Sequence, residues 1–177
     1  ANTKNSVTTI AFYDTLGPKA VEFVIKQTEL TSVSCAGQYV AGLLKLKKDG
    51  KAQSIQNIIS FDAITEDLKN QALEVDIKLY TMSEVIEVGA LAGNISLKEP
   101  KPESIYMFCY TSGTTGDPKA AMLSHSNLLA ACAASMLTGV CLDHNSTIIS
   151  YLPLAHSFEK FLFIITMIGG GRIGYYS

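Results

Sequence analysis

The stretch Ile105–Leu123 reads IYMFCYTSGTTGDPKAAML, two apolar segments around a run of small polar residues. Ile105–Tyr110 predicts a strand, and Lys119–Leu123 a second one that returns from it, because both carry residues suited to a pleated, half-buried surface. Between them Thr, Ser, Gly, Asp and Pro are turn formers, each for its own steric or hydrogen-bonding reason.

Outward from this pair the pattern alternates. On the C-terminal side Ser124–Gly139 predicts a helix rich in Ala and Leu, Thr147–Leu152 a strand, Ser157–Ile168 a helix and Arg172–Tyr176 a last strand. On the N-terminal side Asn94–Glu103 (NISLKEPKPE) has two prolines and little apolar content, and is expected to be a linker. Before it, Val7–Tyr13 predicts a strand, and Gly17-Pro18 opens a helix through about Leu30. Thr31–Cys35 follows as a strand. Gly37–Lys48 is the next helix, closed by Lys48-Asp49-Gly50. Asn57–Phe61 and Ile77–Tyr80 are further strands, separated by a polar, weakly helical stretch. Thr81-Met82-Ser83-Glu84 has capping-box spacing and starts a helix to about Leu91. Strand–helix alternation at this spacing predicts an α/β fold: a layered sandwich with a largely parallel sheet covered on both faces.

Composition narrows the class. The 177 residues suit one domain, and with 47% hydrophobic and 17% charged residues the chain is not disordered. A net charge of −2 gives no general attraction to nucleic acid or anionic lipid. Lys45, Lys47 and Lys48 read as a solvated face, so nucleic-acid binding is not expected. Cys35, Cys109, Cys132 and Cys141 lack metal or redox spacing and are expected to be reduced core residues. The longest apolar run, Phe161–Ile168, is far shorter than the ~20 residues that span a bilayer. The chain opens without a signal-peptide pattern and stops just after a predicted strand; the expectation is a piece of a longer protein.

The chemistry lies in the polar run. Thr111, Ser112, Gly113, Thr114, Thr115 and Gly116 are followed by Asp117-Pro118 and Lys119. Glycines let successive backbone N–H groups converge on an anion. Hydroxyls add donors for phosphate oxygens and lone pairs for Mg²⁺. Lys119 adds a point charge on a flexible stem. A plain polar turn is the alternative on composition, but four hydroxyls, two glycines and a lysine in nine residues are denser than a turn requires. The nucleotide-binding pattern G-x-x-x-x-G-K-[ST] is not met, because the lysine lies three residues beyond Gly116 and precedes Ala120-Ala121.

YTSGTTGDPKAAM, Tyr110–Met122, resembles the signature of the adenylate-forming superfamily. Two further segments resemble those of long-chain fatty acyl-CoA synthetases: Tyr13-Asp14-Thr15-Leu16-Gly17, and Tyr151–Lys160 (YLPLAHSFEK) followed by Gly170-Gly171-Arg172-Ile173-Gly174. The resemblance runs from about Ile10 to the last residue and corresponds to an incomplete large N-terminal domain. It implies ATP-dependent activation of a fatty acid to an acyl-adenylate, then transfer of the acyl group to coenzyme A. By motif position, Thr111, Ser112, Gly113, Thr114, Thr115 and Gly116 would wrap the β- and γ-phosphates. Thr111 would touch Mg²⁺, Lys119 would help at the phosphates, and His156 would position or polarise the acyl carboxylate. Glu159 would orient His156 or cap the following helix. His125 and His144 are expected to be structural or exposed, and Tyr13, Asp14 and Thr15 to be strand-end and turn packing.

The resemblance carries further expectations. Fatty acid, ATP and CoA are the implied partners, in the cytoplasm or at the cytosolic face of the endoplasmic reticulum, mitochondrion or peroxisome, with any membrane attachment through a segment not present here. The chain stops before the family's adenine- and ribose-contacting segments and its small C-terminal domain, so these residues alone are expected to be inactive. Ala120 stands where the family usually has Gly, and its reading as β predicts no backbone strain there. A ligase for another carboxylic acid, and a non-catalytic nucleotide-binding or regulatory relative, are the competing expectations.

Overall fold

The computed structural model describes residues 2–13, 17–93, 95–111, 118–139 and 142–175. In chain order the described elements are β1 (Thr9–Ile10), α1 (Pro18–Thr28), β2 (Ser32–Cys35), α2 (Gly37–Lys48), β3 (Asn57–Ser60), α3 (Glu66–Glu74), β4 (Lys78–Thr81) and α4 (Met82–Leu91). There follow β5 (Ile105–Thr111), β6 (Lys119–Ser124), α5 (His125–Leu137), β7 (Thr147–Ser150), α6 (Ser157–Gly169) and β8 (Arg172–Tyr175). The α/β class is as expected. Four of the five strand pairings are parallel, but they form three short sheets rather than one: β1-β5-β6, β2-β3-β4 and β7-β8. The expected strand Val7–Tyr13 shrinks to Thr9–Ile10, because only those two residues find partners, at Met107 and Phe108.

The chain divides into two compact units, Leu16–Ser96 and Ala1–Thr15 with Leu97–Ser177. In the first, β2, β3 and β4 are consecutive parallel strands joined by α2 and α3, the βαβ arrangement that alternation predicts. Their core gathers Ile25, Val33, Val40, Leu44, Ile55 and Ile58. Full burial of a side chain such as Ile58 contributes about 1.5–3 kcal/mol. The stretch expected to be weakly helical is α3, started by Thr65, whose hydroxyl accepts from the Leu68 N–H, with Glu66 and Asp67 at the positive helix end. The N-terminus of α2 has no cap from its own chain segment; Asp62, just beyond β3, accepts the Gly37 N–H through Oδ2 at 2.7 Å.

The capping box at α4 forms as its spacing predicts. Thr81 accepts the Glu84 N–H at 3.2 Å, and Glu84 accepts the Thr81 N–H and hydroxyl. Replacing Thr81 with alanine is expected to cost about 1 kcal/mol, read as a lower urea midpoint at neutral pH. Those same Thr81 donors, the backbone N–H first, hold the Glu84 carboxylate below its ordinary range. A depressed folded-state pKa gives stability that is present above the unfolded value and lost as pH falls through the folded one. The Thr81→Ala penalty is therefore expected to shrink in urea series taken below about pH 4. An unchanged penalty would show that the Thr81 hydroxyl does not help hold the Glu84 charge.

In the second unit β5 and β6 form an antiparallel hairpin, with β1 parallel to β5 on its other side. Ser124, expected inside the following helix, is instead its N-cap: it accepts the Asn127 N–H, and Asn127 accepts the Ser124 N–H. The parallel pair β7–β8 is connected by α6, which packs against α5, β7 and β8. Gly170 ends α6 at φ 71°, the left-handed region that favours glycine. Gly169 lies against the Leu142 carbonyl, with no room for a Cβ. Cys109 and Cys132 are buried and Cys35 half-buried, all three as free thiols; Cys141 lies outside the described residues.

Candidate active site

The site is built on the hairpin. Its last paired residues are Thr111 and Lys119, directly opposite each other. Two of the residues singled out for phosphate contact thus stand side by side where the polar run begins and ends. Ser112, Gly113, Thr114, Thr115 and Gly116 lie outside the described residues. Lys119 is exposed. Ala120 pairs with Tyr110 within the ladder and is not among the described non-glycine residues with positive φ, which are Ser6, Glu29 and Asp76. Alanine there strains nothing in the backbone.

Helix α6 brings the second half. The Cys109 thiol donates to the Ala155 carbonyl at 3.8 Å, and Lys160 Nζ donates to the Tyr106 hydroxyl at 3.3 Å. These two contacts tie the start of α6 and the residues just before it to β5. His156 follows Ala155 at that end. It is exposed and serves as N-cap, with Nδ1 accepting the Phe158 N–H at 3.2 Å. A ring nitrogen that accepts a backbone N–H carries no proton, so in the neutral ring the proton is on Nε2. His156 is thus held at Nδ1 with its proton on Nε2.

Around this junction the unit is tightly linked. Burial pushes the Tyr13 phenol up, and the adjacent Cys109 thiol adds to that shift. Tyr13, expected as strand-end packing, therefore lies against the same strand position that holds Ala155; Asp14 and Thr15 lie outside the described residues. His125 sets its ring edge-on to Tyr106 at 5.3 Å, and Lys160 lies 5.3 Å from the same ring centroid. His144 is exposed. The spacing of these residues along the chain gives no sign of the linkage, which is made by packing.

Glu159 departs from its expected capping role. The His156 N–H, which a capping box would offer it, donates instead to the Pro153 carbonyl at 2.8 Å. Glu159 is 1% exposed, and its Oε2 is buried without a hydrogen-bond partner among the described residues.

The whole chain, residues 1–177, matches the family described as AMP-binding enzyme. The chain belongs to the AMP-binding enzyme family. Among the relatives of this AMP-binding chain, Fatty acyl-CoA synthetase A of Dictyostelium discoideum is 31% identical over 98% of the chain and 25% of the relative. Long-chain-fatty-acid–CoA ligase 5 of Mus musculus is 33% identical over 97% of the chain and 26% of the relative. The AMP-binding chain thus spans about a quarter of the length of the curated relatives it matches. Its fold is similar to part of the adenylation domain of the carboxylate reductase from Mycobacterium chelonae: TM-score 0.75 and 17% identity, over 96% of this chain and 28% of that one.

Proposed function

We propose that the protein activates a long-chain fatty acid with ATP and passes the acyl group to coenzyme A, this chain supplying the phosphate loop and part of the acyl site. The observation that carries the reading is the junction of β5 and α6, where Cys109 on Ala155 brings His156 to the end of the strand that leads into Thr111. The similarity to fatty acyl-CoA synthetases supports the choice of substrate.

In the first step a carboxylate oxygen attacks the α-phosphorus of ATP, the bond to the bridging oxygen breaks, and pyrophosphate leaves. Charge accumulates on the leaving group, so oriented donors and cations there lower the barrier. Residues 112–116 and Lys119 are assigned to the β- and γ-phosphates, and Thr111 to Mg²⁺. Among the described residues no cluster of His, Cys, Asp and Glu would hold a metal alone. His156, through Nε2–H, orients and polarises the carboxylate and is not a base. In the second step the CoA thiol attacks the acyl carbonyl and AMP departs. The proposed setting is the cytoplasm or the cytosolic face of an intracellular membrane; among the described residues no helix is long and apolar enough to cross one.

The test is pyrophosphate release from ATP by the full-length protein containing these residues, against fatty acids of several lengths, aryl acids and short dicarboxylates. Release with long-chain fatty acids, followed by CoA-dependent thioester formation, is the expected result. Turnover confined to another acid class would replace the substrate, and no turnover with any acid would refute the enzyme. The 177 residues alone are expected to give none.

A further inference from the structure

The peptide unit that joins Ala155 to His156 is held at both of its polar ends. Its carbonyl oxygen accepts from the Cys109 thiol at 3.8 Å, and its N–H donates to the Pro153 carbonyl at 2.8 Å. A peptide is planar, so these two bonds fix the plane from which the histidine departs. Beyond that plane the His156 carbonyl accepts the Lys160 N–H at 3.1 Å, and the ring accepts the Phe158 N–H. Pro153, Phe158 and Lys160 all lie within four residues of His156, so their bonds shape the turn without deciding where it sits. The Cys109 bond acts on its place, because it joins the turn to β5.

Packing alone does not require a thiol that donates. A buried free cysteine ordinarily serves as a small hydrophobe, and Cys132 on α5 is buried still more completely than Cys109. Cys109 also gives its hydrogen to Ala155, and its sulfur shares a hydrogen bond with the Tyr13 phenol, which ties in a third segment. It stands two residues before Thr111, where β5 meets the polar run. One strand therefore carries both the tie to the histidine's peptide and the start of that run. We propose that Cys109 is a positioning residue for acyl activation: its thiol pins the Ala155–His156 peptide to β5 and so fixes where His156 sits against the strand that enters the polar run. The proposal rests on the acyl-activating reading of the same site.

The test uses the full-length protein with Cys109→Ala, which removes the donor, and Cys109→Val, which removes it while filling the space with a side chain suited to a strand. Each is also combined with His156→Ala, and Cys132→Ala serves as the loss of another buried thiol. The kcat and KM for fatty-acid-dependent pyrophosphate release are measured, with amide hydrogen exchange of peptides spanning His156. Both Cys109 variants are expected to lower kcat about tenfold with the KM for ATP unchanged, and to cause no further loss once His156 is alanine. Exchange around His156 is expected to be about tenfold faster in both, and Cys132→Ala to leave kcat and that exchange unchanged. An unchanged kcat or exchange would overturn the proposal, as would a loss that persists without His156 or appears equally in Cys132→Ala. Failure of both Cys109 variants to fold would make the thiol a requirement of the core and overturn it too. Absence of turnover in the unsubstituted protein would count against the ligase reading, and the exchange arm still decides whether Cys109 pins the peptide.

Discussion

In the full-length protein, His156→Ala is expected to lower the rate of fatty-acid-dependent pyrophosphate release about a hundredfold, the lower end of what losing one oriented donor costs. The expectation follows from the cap. Because Nδ1 accepts the Phe158 N–H, the ring is held in one orientation with Nε2–H outward, and no rearrangement is needed when a carboxylate arrives. The same bond creates a confounding effect, since an N-cap replaced by alanine costs about 1 kcal/mol of stability. His156→Asn separates the two. Asparagine is a good N-cap and should restore the urea midpoint, but it does not place a donor where Nε2 stands, so the rate should stay low. A wild-type rate in either variant would remove His156 from the reaction.

Gly169→Ala is expected to be the most damaging added methyl among the described glycines of the second unit. A Cβ at Gly169 would fall on the Leu142 carbonyl oxygen and 2.6 Å from its carbon. These are backbone atoms, so no side-chain rotation relieves the clash; either the end of α6 or the turn at Leu142–Asp143 must move. Overpacking costs roughly 1–3 kcal/mol and occasionally more, and a backbone obstacle puts this site at the upper end. The neighbours offer no slack: Gly170 needs its left-handed φ, and a Cβ on Gly171 would lie 3.1 Å from the Asp143 carbonyl oxygen. Gly42 is the control of opposite sign. It is exposed within α2 with nothing within 4 Å of an added Cβ, and Gly42→Ala should stabilise by roughly 0.5–1 kcal/mol. Urea midpoints for the two variants should move in opposite directions. A Gly169→Ala protein as stable as its parent would mean that the turn at Leu142 is not held where it is described.

What could be read from the chain alone follows physical range. Helix α2 runs from Gly37 to Lys48 as its pattern predicts, because its start, its cationic last turn and Gly50 are all local signals. The Thr81–Glu84 box is equally local. Thr65-Glu66-Asp67 was a legible helix start too, since a hydroxyl cap and two acids suit the positive helix end, yet the low apolar content of α3 masks it. Strand length was less accessible: Val7–Tyr13 has uniform β character, but pairing ends at the partners Met107 and Phe108. At the candidate site, the polar run pointed to Thr111 and Lys119, and the family resemblance to His156, without showing how they lie. The contact that sets Ala155 against Cys109 spans 46 residues, and only packing makes it. Glu159 is the sharpest case. A glutamate at the third position of a helix predicts an exposed cap, but Glu159 is buried and the N–H it would accept is donated to Pro153.

The hairpin register has a consequence of another kind. Since the ladder extends out to Thr111 and Lys119, the sheet holds together the two ends of a seven-residue connection. The chain entropy lost in closing so short a connection is set by its length and depends little on which polar side chains occupy it. Exchanges between polar side chains of similar backbone freedom there leave that closure entropy unchanged, whereas exchanges at its glycines or proline do not.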